Sequence, residues 1–158
     1  MKPKVYIETT VVSYLTARAT RDPIVAGNMR HSKNWWENER GKFDVYVSDA
    51  VIVEASEGDR DAVRRRMAFL SPLPALVTDN LARELARFVM ASMVLPAKAE
   101  VDALHLAIAA VNGMDYLLTW NCRHLNNAFL KPKLEGLCQA RGYVCPNICT
   151  PAELIMGD

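Results

Sequence analysis

Short apolar runs alternate along this chain with longer segments of helical pattern. The runs are continuous and do not alternate with polar residues, which is typical of strands in a parallel sheet covered on both faces. The pattern predicts strands at residues 4–7, 43–47, 74–77, 116–119 and 143–148. It predicts a first helix starting at Thr9-Thr10, a short helix after Ser48-Asp49, and further helices at residues 23–38, 59–70, 80–93, 102–111 and 130–141.

Strands that alternate with helices indicate an α/β domain with a central, mainly parallel five-stranded sheet. No long linker or internal repeat divides the 158 residues, so we expect a single domain over residues 1–158. The net charge is +1, so any contact with nucleic acid must come from a local patch. No segment resembles a secretory leader or is apolar enough for a membrane span, and we therefore expect a cytoplasmic protein with reduced cysteines.

Three carboxylates stand alone in apolar segments, namely Glu8, Glu54 and Asp102. An ionised carboxylate in such a setting is costly unless it is paired, and three groups of the same charge cannot pair with each other. If the fold brings them together, a divalent cation is their natural partner. Ligands of open parallel sheets bind beyond the carboxyl ends of the strands, where Glu8 follows the first strand and Asn121 the fourth. An all-oxygen set favours Mg²⁺ or Mn²⁺.

The polar neighbours of these carboxylates leave alternatives open. Thr10 and Thr119 either orient a ligand or a water molecule, or cap the helices that follow. Asn121 is either a ligand or an ordinary turn residue. His105, one turn after Asp102, is better interpreted as a buried histidine with satisfied hydrogen bonds than as an acid or base, because metal-assisted hydrolysis does not need an imidazole.

The order and spacing of these segments resemble the PIN-domain family, in particular the VapC-like toxins of type II toxin–antitoxin systems. The similarity covers nearly the whole chain. It rests on the segments Val5-Tyr6-Ile7-Glu8-Thr9-Thr10, Val47-Ser48-Asp49-Ala50-Val51-Ile52-Val53-Glu54, Asp102-Ala103-Leu104-His105-Leu106-Ala107, Leu117-Leu118-Thr119-Trp120-Asn121 and Ile148-Cys149-Thr150-Pro151-Ala152-Glu153-Leu154.

The resemblance implies a three-layer α/β/α fold and a metal-dependent endoribonuclease. In that reading Glu8, Glu54, Asp102 and Asn121 are the metal-binding and catalytic residues for Mg²⁺ or Mn²⁺. It also implies an RNA substrate, a cognate antitoxin partner and a homodimer. Two residues depart from the family pattern: Glu8 and Asn121 stand where many relatives have Asp. Asn121 contributes no charge, so the site has three formal negative charges instead of four, which disfavours a tightly bound second ion.

Other functions are weighed against this one. The two departures keep open a PIN-fold protein that binds RNA or an antitoxin with little or no catalysis. A flavodoxin-like or receiver-type domain is disfavoured, because no glycine-rich phosphate loop follows a strand. A zinc site is disfavoured because the Cys-x-His spacing is too tight; it would use Cys122, His124, Cys145 and Cys149. The basic run Arg64-Arg65-Arg66 is either a solvated face or a contact for RNA phosphates.

Overall fold

The apolar runs form one sheet of five parallel strands in the order β3-β2-β1-β4-β5. The computed structural model describes residues 1–157; Asp158, the last residue of the predicted domain, lies outside the described residues. The strands are β1 (Lys4–Ile7), β2 (Asp44–Ser48), β3 (Ala75–Leu76), β4 (Tyr116–Leu118) and β5 (Asn147–Cys149). The helices are α1 (Thr9–Thr16), α2 (Pro23–Asn34), α3 (Asp49–Ala55), α4 (Arg60–Leu70), α5 (Asn80–Ala91), α6 (Glu100–Val111) and α7 (Lys131–Ala140).

Strand β1 lies at the centre of the sheet and is fully buried from Val5 to Ile7. It pairs with β2 on one side and with β4 on the other, so Val5 lies opposite both Val45 and Tyr116. The chain therefore leaves β1 in one direction and later returns to its other side, which makes the β1–β4 boundary the topological switch point. The predicted α/β/α architecture is confirmed, and every strand pair is parallel.

No helix within residues 1–157 combines the length and apolar content that crossing a bilayer requires.

The predicted helix over residues 23–38 is wrong at its end. Helix α2 ends at Asn34, and a π-helical turn covers Trp35–Glu39. Trp35 is fully buried and stacks on Phe43 with ring centroids 5.8 Å apart, while Glu39 is also buried. Single π-helical turns occur within or at the ends of α-helices, and this one carries both buried residues, Trp35 and Glu39. The end of helix α2 at Asn34 therefore depends on tertiary packing, which the hydrophobic periodicity of the sequence does not reveal.

The fifth strand and the first helix cap also differ from the prediction. The strand begins at Asn147 and not at Tyr143, because Gly142 adopts a φ of 83° and the Tyr143 amide bonds back to the Cys138 carbonyl. Gly142 and Tyr143 therefore belong to the C-terminal cap of helix α7. The N-cap of α1 is Glu8, whose carboxylate accepts from the Thr10 amide, and not a threonine hydroxyl.

Two half-buried arginines of the basic run, Arg65 and Arg66, donate to carbonyls at helix ends. Arg65 donates to the Thr16 carbonyl at the end of α1, over 3.1 Å. Arg66 donates to the carbonyls of Ala55 and Glu57 at the end of α3, over 3.0 and 2.6 Å. These contacts satisfy carbonyls that have no partner within their own helix and place a positive charge at the negative end of the helix dipole.

We expect Arg66→Ala to lower the free energy of unfolding by about 1–2 kcal/mol, because two helix-terminal carbonyls lose a charged donor. Urea unfolding followed by circular dichroism measures this. Arg64→Ala is the matched control on the same helix. Arg64 is exposed and lies 3.6 Å from the exposed Asp61, so its loss should cost less than about 0.5 kcal/mol. Equal losses in the two variants would contradict a capping role for Arg66.

Candidate metal centre

Glu8 follows the central strand and is almost completely buried, with 3% of its surface exposed. Its Oε1 accepts hydrogen bonds from the hydroxyls of Thr10, at 2.5 Å, and Thr119, at 2.6 Å. Its Oε2 accepts from the Thr10 amide at 3.1 Å. Thr10 lies in the first turn of α1, and Thr119 directly follows β4. All the donors to this buried carboxylate are therefore uncharged.

Glu54 lies in the last turn of α3 and reaches toward the same edge of the sheet. Its Oε1 is hydrogen-bonded to the Thr9 hydroxyl at 2.7 Å and to Nε2 of His105 at 2.5 Å. Burial alone would raise the pKa of Glu54. The hydrogen bonds from His105 and the Thr9 hydroxyl outweigh it and hold this pKa below the usual value for a glutamate.

The structure brings Glu8, Glu54 and His105 together. One potential ligand atom from each lies within 4.8 Å of the other two. His105 is fully buried and both of its ring nitrogens are hydrogen-bonded, as predicted for a satisfied core histidine. Its proximity to the two carboxylates was not predicted.

Asp102 is not a member of this three-residue cluster, and His124 links it to Asn121. Nδ1 of His124 lies 3.0 Å from Oδ2 of Asp102, and its backbone amide donates to Oδ1 of Asn121 at 3.0 Å. The Asn121 amide donates to the Thr119 hydroxyl at 2.9 Å, which in turn donates to Glu8. The four predicted residues thus form two groups, connected by Thr119.

Among the described residues, the basic side chains that contact the carboxylates at this edge are the histidines His105 and His124. Within residues 1–157, no lysine or arginine forms an ion pair with Glu8, Glu54 or Asp102. Oε2 of Glu54 and Oδ1 of Asp102 make no hydrogen bond within the described residues. Clustered carboxylates with open oxygens and no lysine or arginine partner among the described residues suit a hard divalent cation, so the residues present fit Mg²⁺ or Mn²⁺.

Three solved structures share this arrangement of helices and strands. VapBC2 from Rickettsia felis, bound to a DNA fragment from its promoter, has a TM-score of 0.60 and 13% identity, over 93% of this chain and 98% of the other. FitAcB from Neisseria gonorrhoeae has a TM-score of 0.57 and 11% identity, over 95% and 99%. VapC20 from Mycobacterium tuberculosis, a sarcin-ricin loop cleaving toxin, has a TM-score of 0.51 and 15% identity, over 89% and 96%.

The chain has a VapC-like PIN fold. No protein-family profile and no curated protein sequence matches it. At 11–15% identity the likeness shows the fold alone. The chemistry of the carboxyl edge of this sheet therefore follows from the residues of this chain.

Two side chains that hold the carboxylates of Glu54 and Asp102 were not predicted from the sequence. Thr9 bonds to Glu54, and His124 bonds to Asp102. The three-residue interval from Asn121 to His124 is the usual spacing of an asparagine that caps a turn, and it could have indicated that His124 folds back toward the edge. No sequence signal connects Thr9 to Glu54, because the contact spans 45 residues and depends on helix packing.

We expect Thr119→Val to lower the free energy of unfolding by about 1–3 kcal/mol, because the buried Glu8 carboxylate loses a donor while the side-chain shape is retained. Chemical unfolding in the presence of EDTA measures this without a metal contribution. Thr16→Val is the control, since the Thr16 hydroxyl only bonds to the Val12 carbonyl of its own helix and should matter by less than about 0.5 kcal/mol. An unchanged free energy of unfolding in Thr119→Val would show that Glu8 does not depend on this hydroxyl.

Proposed function

We propose that the protein is a metal-dependent endoribonuclease that acts as the toxin of a type II toxin–antitoxin pair. The observation that carries the proposal is the set of three carboxylates at the carboxyl edge of a PIN-fold sheet, to which no lysine or arginine of residues 1–157 is paired. Buried or partly buried negative charge without a counter-ion costs stability, and proteins keep it where it binds a cation or does chemistry.

Glu8, Glu54, Asp102 and Asn121 would hold one or two Mg²⁺ or Mn²⁺ ions. Such an ion, when bound, polarises a phosphate and lowers the pKa of water enough to make it a nucleophile. The chain's own residues orient the ligands: Thr10 and Thr119 hold Glu8, whereas Thr9 and His105 hold Glu54. The Asn121 side-chain oxygen already accepts one hydrogen bond but has a second lone pair.

We expect Mn²⁺ and Mg²⁺ to raise the melting temperature of the native protein in a saturable way. Ligand linkage gives about 2.7 kcal/mol at a hundredfold excess over the dissociation constant, which corresponds to roughly 5–10 °C for a domain of this size. Differential scanning fluorimetry measures the shift. Asp102→Asn should reduce it strongly. Asp61→Asn is the control, because Asp61 is exposed on α4 away from the carboxylates. A shift unchanged in Asp102→Asn would place the ion elsewhere.

We expect the native protein to cleave RNA only with Mg²⁺ or Mn²⁺, and Asp102→Asn to reduce the rate at least 100-fold. A carboxylate that binds the ion is used throughout the reaction, so its loss removes charge that no other residue supplies. Gel analysis of a mixed pool of structured RNAs, followed by end mapping, measures this. Cleavage that survives EDTA, or that is equally fast in Asp102→Asn, would contradict the proposal.

A second candidate is a PIN-fold protein that binds RNA or an antitoxin without efficient catalysis. The observation that favours it is that Asn121, uncharged and turned toward the His124 amide, stands where many relatives have Asp. Asn121→Asp discriminates between the two. If cleavage appears only in that variant, the native protein is a binder. Native cleavage that depends on Asp102 would exclude this candidate.

The proposed partners follow from the same reading. We infer an RNA substrate, a cognate antitoxin, a homodimer and a cytoplasmic location, all of which belong to the toxin function. Light scattering of the purified protein tests the homodimer.

A further inference from the structure

A chain of hydrogen bonds runs through the core and ends at Glu54. The Ser48 hydroxyl lies 2.7 Å from the Tyr6 hydroxyl, which lies 2.7 Å from Nδ1 of His105. Nε2 of His105 lies 2.5 Å from Oε1 of Glu54. Ser48, Tyr6 and His105 are each fully buried. Polar groups without access to water must satisfy one another, so the position of each proton in this chain is constrained.

The available donors determine in which direction the protons are donated along this series of hydrogen bonds. The Ser48 oxygen accepts from the Val51 amide at 3.2 Å, which leaves its hydroxyl proton for the Tyr6 oxygen. The Tyr6 hydroxyl then donates to Nδ1 of His105, so the imidazole proton sits on Nε2 and is donated to Glu54. In the reverse direction, the Ser48 hydroxyl has no acceptor within the described residues.

We propose that His105 is a positioning residue for Glu54 and not a metal ligand. The Ser48–Tyr6 pair holds the imidazole as the Nε2–H tautomer, and Nε2 cannot donate to Glu54 and coordinate an ion at the same time. Oε1 of Glu54 is then filled by His105 and the Thr9 hydroxyl, and Oε2 is the oxygen offered to a cation. This last step rests on the proposed function.

The role of His105 determines which cations the site can bind. With His105 turned to Glu54, the donor set contains carboxylate and amide oxygens only, which suits Mg²⁺ and Mn²⁺ better than Zn²⁺. With His105 as a ligand, the same three residues would form a nitrogen-containing site that suits zinc.

Nitrogen-15 NMR of the imidazoles tests the tautomer directly. The chain has only three histidines, so His31→Gln and His124→Gln assign the His105 signals. We expect an Nε2–H, Nδ1-unprotonated pattern for His105, both without metal and with saturating Mg²⁺. A proton on Nδ1 in either condition would overturn the proposal. The His105 tautomer measured in the metal-free protein does not depend on the proposed function.

The second arm compares two substitutions with Mn²⁺ as the probe, its binding followed by electron paramagnetic resonance. His105→Leu should raise the dissociation constant roughly 10–100-fold, the usual effect of losing a group that orients a ligand. His105→Gln should raise it much less, because its amide can still donate to Glu54. Equal losses would overturn the positioning role. His31→Gln, an exposed substitution, should leave binding unchanged. If the native protein binds no Mn²⁺ while the tautomer is as expected, the proposed function fails and the positioning of Glu54 stands.

Discussion

The buried carboxylate of Glu8 is the constraint on which this edge of the molecule depends. It ends the central strand with 3% of its surface exposed, so its oxygens need donors from the protein. Those donors come from Thr10 in the first turn of α1 and from Thr119 after β4. Satisfying one carboxylate therefore fixes the entry of α1 and the end of β4 at the switch point of the sheet.

A comparison with Glu39 shows that the missing counter-ion at this edge is a property of the site and not of the chain. Glu39 is also buried, but Lys42 lies 3.0 Å from its Oε2, and this hydrogen bond lowers the pKa of the glutamate. The fold thus pairs a buried carboxylate with a lysine where the role is structural. Glu8 and Glu54 receive only hydroxyls, an amide and an imidazole.

What could be predicted from the sequence follows from the range of each interaction. Continuous apolar runs located four of the strands to within about a residue or two and placed Glu8 at a strand end, because burial on both faces leaves a local signature. The π turn at Trp35 and the late start of β5 at Asn147 depend on packing between distant elements. The same holds for His124, whose contact with Asp102 spans 22 residues that include most of α6 and all of β4.

The division of the carboxylates into two groups bears on how many ions the edge can hold. Ligand atoms of Glu8, Glu54 and His105 lie within 4.8 Å of one another, whereas His124 occupies one oxygen of Asp102. An ion held by the three carboxylates together would meet three negative charges, whereas a second ion would find the neutral Asn121 and the Asp102 oxygen that already faces His124. The proposed function is therefore best served by one cation shared by Glu8, Glu54 and Asp102. Any second ion would be weaker and would compete with His124 for Asp102.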